Sequence, residues 1–220
     1  SLCATALPAY AAELPGYYDW RLTEPAVRTS APTAAIVGEV RDQDPYGTCW
    51  AFGATASLES TLNLQLQQAG LPPTQRLSER YLAWLTYARP INGGGDGYVL
   101  FPADQSHVPT SPTEVYFSGG ENYSPVSVYV RYGAAYDTEW PYTSEHTEPI
   151  MEGVNLVANR GTALHDVYNL NFYYAPTSVL KTDINYYKNL IQKYGLLTAG
   201  YHTESSAIKD ICNPDFYFPN

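Results

Sequence analysis

The sequence predicts a mixed α+β protein in which helices come first and strands come late in the chain. Apolar residues recur every three to four positions after Thr48, and two further segments carry helix-capping residues. The helices are followed by strand-like runs, which is the order typical of α+β proteins. The chain has 220 residues, of which 45% are hydrophobic and 15% charged. It is therefore long and apolar enough for one domain or two closely packed halves, but not for several independent domains.

The first part of the chain is predicted to be extended and then helical. Prolines at four positions keep residues 1–33 extended, and residues 35–40 form a short strand-like run. The first helix begins near Thr48 and ends at Gly70 and the two prolines after it. Its apolar stripe comprises residues 51, 54, 58, 62 and 66.

Two more helices and two more strands are predicted after Gly70. Ser78 caps a helix over residues 79–88, with Glu79 in its first turn. Residues 90–125 are rich in Gly, Pro, Ser and Thr and should be largely loop, whereas 126–130 alternate like a strand. Thr182 caps a third helix that Gly195 ends, and residues 196–201 form a late strand.

Composition excludes several classes of protein. The net charge of −10 opposes binding to a polyphosphate, so we expect no nucleic-acid partner. No run reaches the roughly 18 apolar residues of a membrane span. The chain has 21 tyrosines but few lysines, which favours a secreted or cell-surface protein. Three cysteines without a CxxC pair predict neither a disulfide-dense fold nor a metal site.

Cys49 is the residue that most clearly predicts chemistry. It falls in the first turn of the first helix, where unpaired backbone N–H groups and the helix dipole favour a thiolate. Gln43 lies six residues upstream and can present an amide donor to the same space. A thiolate beside an amide donor suits acyl transfer through a tetrahedral oxyanion. The alternative is a small cysteine buried beneath the helix.

The chain resembles the papain-like cysteine peptidases, most specifically over residues 43–52. Weaker landmarks follow in the order found in that family, so the resemblance covers residues 14–220. The resemblance implies a two-lobed fold whose helical lobe is complete and whose β-rich lobe is only partly present in this chain. The YGT form of the active-site string is similar to that of bacterial secreted members. The matching strings are LPGYYDWR (14–21), QDPYGTCWAF (43–52), LSE (77–79), NGG (92–94), WPY (140–142) and YGLLT (194–198).

The resemblance also implies roles for individual residues. Cys49 would be the nucleophile that forms a thioester acyl-enzyme, and Gln43 with the Cys49 backbone N–H would bind the oxyanion. Trp50 would pack between the two lobes or contact substrate. The glycine string Asn92, Gly93 and Gly94 would pair with an extended protein or peptide substrate, although an ordinary glycine turn explains it equally well. No metal or organic cofactor is implied.

The histidine that such an enzyme needs is not evident. None of the four histidines stands in an Asn-His-Ala context, and His202 has the best position among them; they are His107, His146, His165 and His202. By resemblance, the chain stops just before the strand that bears this histidine. We therefore expect a nicked, two-chain enzyme, in which a C-terminal fragment of the same precursor carries the histidine and its orienting Asn.

Other departures from the family pattern concern cysteines and length. Tyr46 stands where many members have a disulfide cysteine. Residues 1–13 would be a pro-segment remnant or an N-terminal extension before a domain over 14–220. Cys3 then pairs with Cys212, remains free, or caps Cys49. Residues 100–135 look like an insertion that shapes or covers the cleft.

Three other functions compete with a cysteine endopeptidase. A catalytically inactive papain-like module that binds peptides or glycans would explain the missing histidine, but it has no chemical reason to keep Gln43 with Cys49. A thiol acyltransferase or amidase would use the same nucleophile on another substrate. The plainest alternative is a structural fragment in which Cys49 is inert.

Overall fold

A computed structural model describes the chain in ten separate ranges. They are residues 14–22, 24–27, 36–73, 76–87, 112–117, 119–120, 124–125, 128–129, 133–143 and 184–198. Four helices lie within them: α1 (Cys49–Gln68), α2 (Glu79–Tyr87), α3 (Pro112–Phe117) and α4 (Ile184–Tyr194). Helix α1 packs against α2 and α4, and α2 also packs against α3. Helix α1 therefore lies at the centre of the described helices, in contact with two of the other three.

The helix predicted after Thr48 is confirmed as α1, but within its predicted apolar stripe only Ala51 and Leu58 are buried, whereas residues 54, 62 and 66 are half-buried. Ala51, Thr55 and Leu58 are buried one above the other, as a helical spacing of three to four residues requires. The helix ends at Gln68, and Gly70 follows with a φ of +69°, in the left-handed region that glycine adopts without steric penalty. Gly70 therefore marks the end of the helix, as predicted, while the buried face also includes polar residues such as Thr55.

Helix α2 confirms the predicted cap. The Ser78 hydroxyl oxygen accepts a hydrogen bond from the Tyr81 backbone N–H at 3.0 Å and donates one to the Trp140 carbonyl oxygen at 2.5 Å. Just before the cap, Leu77 forms an antiparallel bridge with Tyr136. These contacts attach residues 133–143 to the start of α2, close to the helical core.

Helix α4 also confirms its prediction, although Thr182 lies outside the described residues. Gly195 ends it with a φ of +96°. Two hydroxyl groups of α1 hold the chain that leaves it: Thr61 donates to the Tyr194 carbonyl oxygen at 2.6 Å, and Ser60 accepts the Leu196 N–H at 2.8 Å. Polar contacts therefore dock the end of α4 along α1.

Three strand predictions and one loop prediction need correction. Residues 36–40 are irregular, residues 128–129 are helical, and residues 196–198 form no strand. Helix α3 lies inside the segment predicted to be mostly loop. The helical part of the α+β prediction is confirmed, whereas residues 199–201 and most of the expected β-rich lobe lie outside the described residues. None of the described helices is long and apolar enough to cross a bilayer.

Candidate active site

Cys49, which the sequence analysis selected as the residue with chemistry, is the first residue of α1. Cys49 carries a free thiol and its side chain is exposed, so the alternative of a small cysteine buried under the helix is wrong. The residues on either side, Thr48 and Trp50, are buried and hold the backbone in place. The geometry therefore offers a solvent-accessible thiol on a rigid support.

The start of α1 has no side-chain cap. Thr48 occupies the cap position, but its hydroxyl makes no hydrogen bond to the helix N–H groups. Its carbonyl oxygen accepts the N–H groups of Ala51 and Phe52, at 2.9 and 3.1 Å. Among the described residues, the N–H groups of Cys49 and Trp50 have no acceptor. They remain available, at the positive end of the helix dipole, for an oxygen that develops negative charge.

Gln43 lies in the turn that leads into α1. Its Nε2 donates a hydrogen bond to the Tyr46 carbonyl oxygen at 3.2 Å, and its own carbonyl oxygen accepts the Tyr46 N–H at 3.0 Å. These two bonds fold residues 43–46 back on themselves. A primary amide has two hydrogens on Nε2, so one remains for a ligand after the bond to Tyr46 is made.

A tyrosine from a distant turn reaches the same place. The Tyr142 hydroxyl donates to the Gln43 carbonyl oxygen at 2.9 Å and lies 2.5 Å from the Thr48 hydroxyl. Burial raises the pKa of Tyr142 to about 12, above its usual 10.0. The hydroxyl is therefore protonated, and able to donate, at any pH at which the protein is expected to work.

A buried ion cluster fixes the chain just upstream of Gln43. Arg41 binds both carboxylate oxygens of Glu59 on α1, at 2.6 and 2.7 Å, and also binds Glu79 at the start of α2. The side chains of all three residues are at most 9% exposed. Burial raises the pKa of Glu79, although the Arg41 charge acts in the opposite direction. The cluster ties the loop to both helices.

Trp50 packs against Gly120, one of two adjacent glycines in the segment that the sequence predicted to shape or cover the cleft. A Cβ atom at Gly120 would collide with the Trp50 indole ring, and a Cβ at Gly47 would lie 3.7 Å from the Gly119 nitrogen. Trp50 is 7% exposed, and the Tyr87 ring meets it edge to face at 6.1 Å. Gly119 and Gly120 therefore line the side of the loop that leads to the thiol, a placement that only the fold reveals.

Several predicted site residues lie outside the described residues. They are Asn92, Gly93 and Gly94, the histidines at 107, 146, 165 and 202, and the cysteines at 3 and 212. Their predicted roles stay predictions. The described residues include no group of three or more His, Cys, Asp or Glu side chains suited to a metal ion.

Comparison with known families adds to this geometry. Residues 14–83 match the family model described as "Papain family cysteine protease". This papain-like segment supports a cysteine peptidase of that type and contains Gln43, Cys49 and the capped start of α2. It covers under half of the chain. No curated protein matched the sequence.

Solved structures give a weaker likeness. Ten chains match. One is the "Structure of digestive procathepsin L 3 of Tenebrio molitor larval midgut", which is 20% identical with a TM-score of 0.43. The alignment covers 81% of this chain and 48% of that chain. The present chain thus spans about half the length of that protein.

Proposed function

We propose that the protein is a cysteine endopeptidase in which Cys49 is the nucleophile. The observation that carries the proposal is an exposed free thiol at the first residue of α1, beside N–H groups that have no acceptor among the described residues. The papain-like segment over residues 14–83 supports it. A thiol in this position suits attack on a carbonyl carbon, since the helix N-terminus favours the thiolate.

The proposed reaction has two halves. The thiolate of Cys49 forms a bond to the substrate carbonyl carbon, and the resulting oxyanion is held by the Cys49 N–H and by Nε2 of Gln43. The C–N bond then breaks, the amine leaves with a proton from a histidine, and a thioester remains. Water attacks the thioester, gives its proton to the histidine and releases the acid product, which restores the thiolate.

The general base is proposed to be a histidine on a separate C-terminal chain of the same precursor, with its orienting Asn. The support is that none of the four histidines of this chain stands in the sequence context that the resemblance requires. Secretion, of the kind found in bacterial members, is proposed from the tyrosine-rich composition and the YGT string. Intact mass spectrometry tests the two-chain arrangement, and purification without a second fragment would refute it.

The substrate backbone is proposed to lie along Gly119 and Gly120. They flank the loop that leads to Cys49, and glycines allow the close approach that strand-like pairing with an extended peptide requires. The same role predicted for Asn92, Gly93 and Gly94 lies outside the described residues. The protein substrate would thus run beside Trp50, whose buried ring packs against Gly120.

The proposal is tested with peptide-coumarin amides and a thiol-directed epoxysuccinyl label. Cys49→Ala should abolish both hydrolysis and labelling, whereas the matched controls Cys3→Ser and Cys212→Ser should keep both. Labelling of Cys49 should be much faster than that of a small free thiol, because the helix start favours the thiolate. Labelling no faster than that of glutathione, together with absent hydrolysis, would refute a peptidase.

A further inference from the structure

A single hydroxyl group connects the two elements that would bind the oxyanion. Tyr142 Oη lies 2.9 Å from the Gln43 carbonyl oxygen and 2.5 Å from the Thr48 hydroxyl. A tyrosine has only one O–H hydrogen, and a carbonyl oxygen can only accept. Tyr142 therefore donates to Gln43, and Thr48 donates to Tyr142. This chain of bonds also explains why the Thr48 hydroxyl does not cap α1.

Tyr142 is itself held firmly enough to position other groups. Its backbone N–H donates to a carboxylate oxygen of Asp137 at 3.1 Å. Its ring meets Phe52 of α1 edge to face at 4.8 Å and Tyr46 of the turn at 6.1 Å. These ring contacts hold the Tyr142 side chain in place. Its hydroxyl group can therefore orient Gln43 and Thr48, to which it bonds.

We propose that Tyr142 is a positioning residue that sets the distance between the Gln43 amide and the Cys49 N–H. The inference rests on the proposed function. One bond of the Tyr142 hydroxyl is to the backbone carbonyl of Gln43, the residue that bears the amide donor. The other is to the side chain of Thr48, the residue whose carbonyl forms the peptide bond to the Cys49 nitrogen. Two donors bind one oxyanion well only when both lie about 2.7–3.1 Å from it. The hydroxyl oxygen of Tyr142 connects Gln43 and Thr48, the residues that hold these two donors.

The test compares two variants that each remove one tyrosine hydroxyl. Tyr142→Phe keeps the ring packing but loses both hydrogen bonds. Tyr129→Phe is the matched control, because the Tyr129 hydroxyl also bonds to a threonine hydroxyl of α1, that of Thr55, at 2.8 Å. Thr55 lies about two turns further along the helix. The control therefore reports what a lost tyrosine–threonine bond does without changing the helix start.

The readouts separate positioning from general damage. Amide hydrolysis passes through an oxyanion, whereas alkylation of Cys49 by iodoacetamide does not. Tyr142→Phe should lower kcat/KM for a peptide amide by about tenfold, less than the loss caused by deleting an oxyanion donor. The alkylation rate should change less than twofold, and Tyr129→Phe should change neither rate. A parallel fall in both rates, or no fall in hydrolysis, would overturn the inference.

A second readout does not depend on peptidase activity. The Tyr46 backbone N–H shares the Gln43 carbonyl oxygen with the Tyr142 hydroxyl. Loosening of this turn should therefore speed hydrogen exchange at the Tyr46 amide in Tyr142→Phe but not in Tyr129→Phe. If the wild-type protein hydrolyses no more than Cys49→Ala, the proposed function fails. In that case the hydrogen-exchange rates of the Tyr46 amide still test the positioning role by themselves. Equal exchange rates in Tyr142→Phe and Tyr129→Phe would overturn it.

Discussion

Arg41 and Glu59 form a two-point ion pair in the interior, at 2.6 and 2.7 Å, two residues before the glutamine of the candidate site. Arg41 also binds Glu79, so one cation faces two carboxylates. Replacing one partner of a buried pair leaves charge without compensation, which is more damaging than the pair is stabilising. This asymmetry makes Arg41 the most sensitive charged residue in the described part of the chain.

Arg41→Met should destabilise the protein strongly. Two buried carboxylates would then face each other without a cation, and we expect the free energy of unfolding to fall by about 3–5 kcal/mol. Arg76→Met is the matched control, since Arg76 is 44% exposed and lies 3.5 Å from Asp137. Its loss should be within about 1 kcal/mol. Equal losses in urea denaturation would contradict the role assigned to Arg41.

Glu79→Gln should change how stability depends on pH. Burial raises the pKa of Glu79 above its ordinary 4.5, so the folded state holds this proton more tightly than the unfolded state does. The resulting stabilisation is complete below the unfolded pKa and is lost as the pH rises through the folded pKa. The variant has no such loss, so its unfolding free energy should gain on that of the wild type as the pH rises above the ordinary pKa of 4.5.

The exposed residue Glu39 gives the control for this pH series. Glu39→Gln makes the same change in net charge without touching the Arg41 cluster. Its difference from the wild type should stay nearly constant over the same pH range. A pH-independent difference for Glu79→Gln as well would show that burial does not raise the pKa of this carboxyl group.

Gln43→Glu should impair catalysis far more than folding. A carboxylate cannot donate to an oxyanion and repels it, so kcat/KM should fall by at least about 10²–10³. The lost bond to the Tyr46 carbonyl oxygen should lower stability by only about 1 kcal/mol. Gln65→Glu, at an exposed position of α1, makes the same charge change and should leave activity intact. Equal activities would remove Gln43 from the site.

Gly120→Ala should disturb the packing beside the candidate site. The added methyl group would collide with the Trp50 ring, and overpacking of this kind lowers stability by about 1–3 kcal/mol. Gly16→Ala is the control, because a Cβ there meets nothing within 4 Å. Thermal unfolding measures both variants. A Gly120 variant as stable as the Gly16 variant would contradict the close contact with Trp50.

The helices were predictable because their signals are local. The Ser78 cap and the glycines at 70 and 195 act on neighbouring residues, so the sequence alone defines where α1 ends, where α2 begins and where α4 ends. The run at 35–40 was predicted to be strand-like, yet the Ile36 carbonyl oxygen is 3.5 Å from the Asn63 side-chain amide instead of bonding to a partner strand. Short runs form strands only when tertiary structure supplies a partner.

The sequence predicted the position of Cys49 at the start of α1, but little of what surrounds it. Cys49 was recognisable because its chemistry depends on the helix that follows it. The burial of Arg41 could not be predicted from nearby residues, because it depends on Glu59 and Glu79, which only the fold brings close to Arg41. Gly120 and Tyr142 lie far from Cys49 in sequence. Gly120 packs against Trp50, and Tyr142 packs against Phe52 and Tyr46, contacts that periodicity does not report.

Tyr46 attaches the site loop through ring contacts, at the position where the sequence resemblance would place a disulfide cysteine. Its ring lies 5.4 Å from that of Tyr116 and 5.0 Å from that of Phe117, and such pairs contribute about 0.5–1.5 kcal/mol each beyond their buried area. Reductant that keeps Cys49 as a free thiol also opens strained or exposed sulfur–sulfur bridges. Contacts between aromatic rings contain no bond that a reductant can break. Conditions that keep the Cys49 thiol reduced therefore leave the ring contacts of Tyr46 intact.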